Sequence, residues 1–386
     1  MHKNIFSTCI SSNRYKNKFI SLLNILLISQ LGLDIHASPI NVNSMTKINP
    51  NTQAPRKTSK NGDIPALVVD PQSSQSISTD SIRVAYQGEP GAYSECATRE
   101  LLGNNVVAIG RQDFESCYKA VDAMEADYAC LPIENSLGGS IHENYDLMLR
   151  YGLTIVAEHE LRVAHCFLVR PGVKKEDIKY AISHPQALAQ CDNYLRGLGI
   201  TPIKAYDTSG SAKMLSKEDF EEQFASRKGE IGGDAEPMTA YNTCAIASDL
   251  AGKTYGLDCL AKSIEDDDSN FTRFLLLARK GVGQHLTRDI PAKTSVVFTL
   301  PNEPGALYKA LACFSLRDID FSKIESRPTS ATLLNFLKFR AAAMGGSWGV
   351  GGKSKGVPRF RFCFYLDILT NELEEDAQNA VRFFFS

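Results

Sequence analysis

Between residues 82 and 278, short apolar runs alternate with segments of helical spacing, and this alternation constrains the fold more than any other feature. Runs of buried-strand type stand at 82–86, 106–110 and 129–133, with helical patterns at 94–102 and 114–123 between them. Such alternation predicts an α/β domain on a parallel or mixed sheet. Further strands are predicted at 153–161, 164–169, 179–183 and 203–206, and helices at 185–198, from 211, and at 240–251. The polar stretch 217–238 reads as a surface insertion. A last apolar strand, 271–278, is placed to return to the first half of the domain.

Gly281, Gly283 and Pro291 mark a break, after which the pattern changes. Strand 294–300, helix 305–316, strands 321–324 and 360–369 and helix 372–385 give the order βαββα. That is a ferredoxin-like unit lacking its closing strand. An insert at 329–358 separates the second and third strands and ends in a Gly/Ser/Lys-rich tail. Gly352-Lys353-Ser354 invites a phosphate-loop reading, but the first glycine of that motif falls on Ser347, so nucleotide binding is not expected.

The chain has 386 residues and a formal net charge of -2, so neither nucleic acid nor an anionic membrane is an expected partner. Ten cysteines are scattered without a Cys-x-x-Cys pair, which argues for a reducing compartment and against a disulfide framework or structural zinc. His159 and His165 lack accompanying ligands at metal spacing and read as ordinary polar histidines. No metal or organic cofactor is expected. Residues 1–81 read as leader and linker. Arg14, Lys16 and Lys18 precede an apolar run at 19–33 that is too short for a confident membrane span, and no acidic residue occurs from 35 to 62. A signal-like segment followed by a basic, acid-poor stretch points to two-step import into a plastid; a secretory or mitochondrial leader, or a cytoplasmic protein, are the alternatives.

Four segments concentrate polar residues at strand ends, where open α/β sheets place ligands. Gln87–Ser94 is a glycine-bounded loop entering a helix, with amides able to cradle an anion. Glu134-Asn135-Ser136 ends a buried strand and runs into Gly138-Gly139. Ser183-His184-Pro185-Gln186 leads into a helix with Pro185 in its first turn, Ser183 near the N-cap, and Gln186 and Gln190 on one face. Thr272-Arg273-Phe274 enters the last strand, where Arg273 reads either as a buried ion-pair partner or as a carboxylate clamp.

These four segments, in this order over about 84–278, resemble the catalytic domain of prephenate dehydratases, including the arogenate dehydratases of plants and algae. The shared patterns are Gly88-x-x-Gly91-x-Tyr93-Ser94, Pro132-x-Glu134-Asn135-Ser136, Ser183-His184-x-Gln186-x-x-x-Gln190-Cys191 and Thr272-Arg273-Phe274. The resemblance implies a two-lobed, periplasmic-binding-protein-like fold over 82–280, with a second lobe at about 162–260. It implies decarboxylating dehydration of prephenate or arogenate in the cleft. Thr272 takes the place of the proton-delivering residue and Arg273 that of the carboxylate anchor. Glu134, Asn135, Ser136, Ser183, Gln190, Ser94 and Phe274 take substrate-lining places. Hydroxide leaves poorly without a proton; because threonine is a very weak acid, Thr272 can act by orientation, and Glu134 is an alternative donor if its pKa is raised.

Pro304-Gly305-Ala306-Leu307 and Glu325-Ser326-Arg327-Pro328 resemble the two signatures of the ACT domain that follows the catalytic domain in this family. That resemblance covers 294–386 and implies a phenylalanine effector bound by Gly305, Ala306, Leu307, Glu325, Ser326 and Arg327 at an interface of a homodimer or homotetramer. A non-catalytic two-lobed ligand-binding protein, or a pure amino-acid sensor, shares the architecture and stays open on fold alone.

Overall fold

The computed structural model describes residues 81–225, 236–280, 282, 292–300, 303–328 and 362–385, with the backbone of 20–22 and 27–29. The insert 329–358, its phosphate-loop-like tail and most of the leader lie outside the described residues.

The first lobe is built on one mixed sheet in the order Val107–Arg111, Arg83–Gln87, Tyr128–Asn135, Phe271–Ala278, Thr154–Arg162. The first three strands run parallel, and Phe271–Ala278 runs antiparallel to both its neighbours. A strand central to a covered sheet must be apolar on both faces. Phe271–Ala278 meets this by alternation: Phe274, Leu276 and Ala278 enter one core, and Leu275 and Leu277 the other. Helix Tyr93–Leu102 covers the first face, while Phe114–Asp122 and His142–Tyr151 cover the second.

The chain crosses to a second lobe after Arg162 and returns between Ile264 and Asn270, the two crossovers being tied by Val163 N–H to the Asn270 carbonyl and Ile264 N–H to the His165 carbonyl. The second sheet has the order Thr201–Lys204, Tyr180–Ser183, Thr243–Ala247, Cys166–Val169, Asp258–Lys262. Here the structure differs from the sequence reading. Residues 243–247 form a strand, not part of a helix, because neighbouring strands on both sides hydrogen-bond a wholly buried small-residue run. A helix starts only at Asp249, capped by the Ser248 side chain. The expected 185–198 helix breaks at Cys191 into Pro185–Gln190 and Asp192–Gly197, and its N-cap is His184 rather than Ser183. The expected insertion 217–238 is not wholly superficial: Phe220 and Met238 are core residues of this lobe. Helix His142–Tyr151 and strand Asp258–Lys262 were not legible at all.

The C-terminal unit is an antiparallel sheet of Ala292–Thr299, Phe362–Ile368 and Phe321–Pro328, with helices Ala306–Ser315 and Glu375–Phe385 against one face around Phe298, Phe314 and Leu366. Strands Ile20–Leu22 and Leu27–Ser29 lie parallel along its outer edge. Its other face packs on the first lobe, where Val297, Cys363 and Tyr365 join that lobe's core. Among the described residues no helix is long and apolar enough to cross a membrane.

Candidate active site

The lobes meet closely. Ser209 and Ser248, from the second lobe, donate to the carbonyls of Pro90 and Gly91 at 2.5 Å each. A Cβ on Gly91 would lie 2.5 Å from the Ala251 Cα, and its φ of +88° is itself a glycine conformation, so this contact requires glycine. The Gln87–Ser94 loop therefore serves as an inter-lobe contact. Two of its amides are already bonded, Gly91 N–H to Glu95 and Gly88 N–H to the Arg111 carbonyl.

Across from this contact, Asn135 and Thr272 are register partners on adjacent strands. The Asn135 side-chain amide donates to Thr272 Oγ1 at 3.0 Å and to Asn270 Oδ1 at 2.8 Å. Its oxygen accepts from Leu137 N–H and Gly138 N–H at 3.0 and 2.7 Å. With every valence used, the amide cannot turn. Thr272 Oγ1 is thereby fixed as an acceptor toward Asn135, which leaves its own O–H to donate elsewhere. Gly138 faces the second lobe: a Cβ there would stand 2.7 Å from the Gln186 amide nitrogen. Ser94 is buried in the first turn of its helix.

The remaining expected residues divide. Ser136 clasps the loop to the returning crossover, donating to the Ser269 carbonyl at 2.7 Å and accepting from Phe271 N–H at 2.9 Å. Ser183 is wholly buried and donates to the Ile246 carbonyl at 2.6 Å, a bond within its own lobe. Phe274 is buried in the first-lobe core. Gln190 accepts from the ring of His165 at 2.9 Å, and the other ring nitrogen of His165 meets the Tyr93 hydroxyl at 2.8 Å. The contact of His165 with Tyr93 and Gln190 has no local signal in the sequence, because it depends on the crossover that brings His165 between the lobes.

Arg273 and Glu134 are also register partners, but successive side chains in a strand point to opposite faces. They therefore lie on the far side of the sheet from Asn135 and Thr272, under the C-terminal unit. Arg273 is 9% exposed and bonds three carboxylates: Glu158 at 2.6 Å, Asp367 at 2.8 Å and Glu134 at 2.9 Å. Lys293 meets Glu158 at 2.6 Å, and Lys323 meets Glu134. Burial works against the Arg273 charge, but Asp367, Glu158 and Glu134 outweigh it and hold the pKa above its ordinary value. Of the two sequence readings, the ion-pair partner describes this arginine. Burial alone would raise the Glu134 pKa, yet hydrogen bonds from Lys323 and Arg273 with their charges bring it below the ordinary value. The condition for Glu134 as proton donor is therefore not met.

A cavity of about 20 Å³ lies beside this cluster, lined by Tyr145, Arg273, Ser295, Tyr365 and Asp367. It has room for one water and not for a substrate. In the second lobe, Cys166, Asp249 and Cys259 bring metal-type ligand atoms within 4.8 Å of one another, but the Asp249 carboxylate is bound by Lys253 and Lys262 at 2.7 and 2.6 Å.

A family model described as prephenate dehydratase matches residues 84–282. The chain belongs to the prephenate dehydratase family. It is 43% identical over 312 residues to the Arabidopsis thaliana protein named arogenate dehydratase/prephenate dehydratase 2, chloroplastic, covering 81% of this chain and 71% of that one. It superimposes with a TM-score of 0.61 on the prephenate dehydratase of Arthrobacter aurescens in complex with L-Phe, at 26% identity, covering 78% of this chain and 85% of that one. Similar too is GqqA, described as a novel type of quorum quenching acylase, with TM-score 0.59, 27% identity and coverage of 78% and 93%.

In this prephenate dehydratase-family chain the six expected effector residues lie on strand Phe321–Pro328 and at the start of helix Ala306–Ser315. Glu325 and Arg327 face the first lobe: Glu325 accepts from Ser140 at 2.6 Å, and Arg327 bonds Asp146 at 3.0 Å and the His142 carbonyl at 2.6 Å. Ser326, between them, points to the opposite, exposed face. Gly305 caps its helix in the left-handed region at φ 78°, with Ala306 and Leu307 in the first turn beyond it.

Proposed function

We propose that this chain is a carbon–oxygen lyase of phenylalanine synthesis that dehydrates and decarboxylates arogenate, prephenate or both, yielding phenylalanine or phenylpyruvate. In the step, the bond from ring to carboxylate breaks, its electron pair enters the ring, and the ring hydroxyl leaves. The hydroxyl takes one proton from solvent, so the products are carbon dioxide, water and an aromatic ring. The observation that carries this reading is the Thr272 hydroxyl, held as an acceptor by Asn135 and left with a free O–H. A hydroxyl so oriented donates to the departing oxygen and relays the proton, which a threonine could not supply as a free acid. Gln186 approaches the Asn135–Gly138 loop from the second lobe, and closure of the lobes dries the site around a carboxylate that must become neutral. Aromatisation supplies the driving force, so the chemistry calls for neither metal nor organic cofactor.

The second part of the reading is regulatory. The βαββα unit is an ACT-type sensor of L-phenylalanine in a homodimer or homotetramer, the small-molecule effector lying between subunits. The 1–81 leader directs the protein to a plastid; the Arabidopsis relative is named chloroplastic. The test is a matched assay of the full chain with arogenate and prephenate, following phenylalanine and phenylpyruvate. Turnover of either supports the reading, and the ratio assigns the preferred substrate. Tight binding of both with turnover of neither would instead establish a two-lobed binding protein.

A further inference from the structure

Tyr93, His165 and Gln190 form a chain of side chains across the hinge. Tyr93 opens the first helix of the first lobe, His165 sits on the outgoing crossover, and Gln190 ends a helix of the second lobe. Both crossovers hold the histidine in place: its backbone N–H donates to Glu265 on the return crossover at 2.8 Å, and Glu265 is paired with Arg162 at 2.7 Å. The Asp266 N–H donates to the Gln190 carbonyl at 2.7 Å, fixing the helix end to the same segment. The imidazole is 2% exposed. Burial lowers its pKa from the ordinary value, against opposing contributions from Gln190 and Glu265, so the ring is neutral and has one N–H.

That single proton decides which end of the Gln190 amide is held by the ring and which is left for a ligand. The Tyr93 phenol stays protonated, its pKa raised by burial; its single O–H donates to the Ala164 carbonyl at 3.1 Å and also lies 2.8 Å from Nδ1. Gln190 Oε1, 2.9 Å from Nε2, can only accept, so Nε2 carries the ring's proton and Nδ1 is left to share the Tyr93 O–H. The opposite tautomer would set the Nε2 lone pair against an amide oxygen, or turn the amide so that its oxygen is the end left for a ligand. An oxygen there would repel an anionic substrate, whereas the NH₂ group can donate twice.

We propose that His165 is a positioning residue: its Nε2–H tautomer holds the Gln190 amide by its oxygen, with both N–H bonds directed at a carboxylate-bearing substrate in the cleft. The proposal rests on the dehydratase reading for the identity of that substrate, but the tautomer does not. Two measurements on the full chain test it. In ¹⁵N spectra of histidine-labelled protein, with His165→Gln identifying its signals, Nε2 should carry the proton at neutral pH. An Nδ1–H tautomer or an imidazolium would overturn the proposal whatever the activity. In kinetics, His165→Leu should lower kcat/KM about tenfold, mostly through KM, the effect of one lost hydrogen-bonded contact. His165→Gln, which keeps an N–H near the Nε2 position, should recover most of it. In a Gln190→Ala background His165→Leu should cost nothing further. Additive losses, or unchanged kinetics on Gln190→Ala, would overturn the proposal while leaving the dehydratase reading standing. If the wild type turns over neither substrate, that reading fails and the spectra still decide the tautomer.

Discussion

Replacing Arg273 by methionine separates a structural arginine from a substrate clamp. The guanidinium is surrounded by Glu134, Glu158 and Asp367, and Lys293 and Lys323 complete the cluster, so three cations balance three carboxylates. Methionine replaces most of the apolar stem but leaves three carboxylates facing two lysines in a largely buried space. Removing one partner of a buried ion pair costs about 3–5 kcal/mol, because the remaining charge is left without compensation. Against a total stability of about 5–15 kcal/mol this is large, and urea denaturation should show it as a lowered midpoint. Asp367→Asn removes only the carboxylate contributed by the C-terminal unit. It should destabilise less, and it should split unfolding into two transitions as that unit comes loose. If Arg273→Met instead costs under about 1 kcal/mol while turnover disappears, the carboxylates are not what the arginine is for, and it binds substrate.

Four further outcomes are expected. Thr272→Ala should lower kcat about a hundredfold or more with little change in KM, and Thr272→Ser should retain most activity; equal losses in kcat and KM would refute proton delivery. Asn135→Asp removes the donor to Thr272 and places a charge beside it, so kcat should fall while the protein stays folded by circular dichroism. The carboxyls of Glu134 and Glu325 are held below the ordinary value near ~4.3, despite burial, by Lys323 and Arg273 and by Ser140 and His142 respectively. A depressed folded pKa contributes stability that is present above the unfolded value and lost as pH falls through the folded one. Denaturation midpoints should therefore hold above about pH 5 and drop below about pH 4, and Glu134→Gln should flatten that drop. Glu325→Ala should speed hydrogen exchange in helix His142–Tyr151, and under the regulatory reading should also weaken inhibition by phenylalanine; an unchanged response would place the effector elsewhere.

The α/β layering was legible because strands buried on both faces are written as continuous apolar runs, as Phe271–Ala278 and Tyr128–Asn135 are. The 240–251 error has the same root. Thr243–Ala247 is short, small and apolar, and its composition suits a helix as well as a strand until neighbouring strands claim its backbone. Helix His142–Tyr151 was hidden because its stripe is broken by Asn144, which is buried to donate to the Pro132 carbonyl at 2.7 Å. At the site, the motif residues were visible but their directions were not. Ser136 and Ser183 stand in polar motifs, yet their hydroxyls bond backbone carbonyls that no local pattern reveals.

The Thr272-Arg273-Phe274 motif shows why its members have different functions. Alternation in a strand sends neighbours to opposite faces, so a three-residue motif at the end of a central strand addresses two compartments. Thr272 meets Asn135, and Phe274 anchors the same face in the core. Arg273, one residue along, meets Asp367 of the C-terminal unit. Its register partner Glu134 repeats the arrangement, bonded to Lys323 of that unit while Asn135, one residue on, holds Thr272. Two adjacent strands therefore carry the hydroxyl and its orienting amide on one side and the domain contact on the other. A shift of the C-terminal unit that pulled on Asp367 and Lys323 would act on residues covalently next to Thr272 and Asn135. An ångström of change in strand register is enough to misplace a hydrogen bond of 3.0 Å. Regulation of this site needs no long pathway; the sheet is one residue thick.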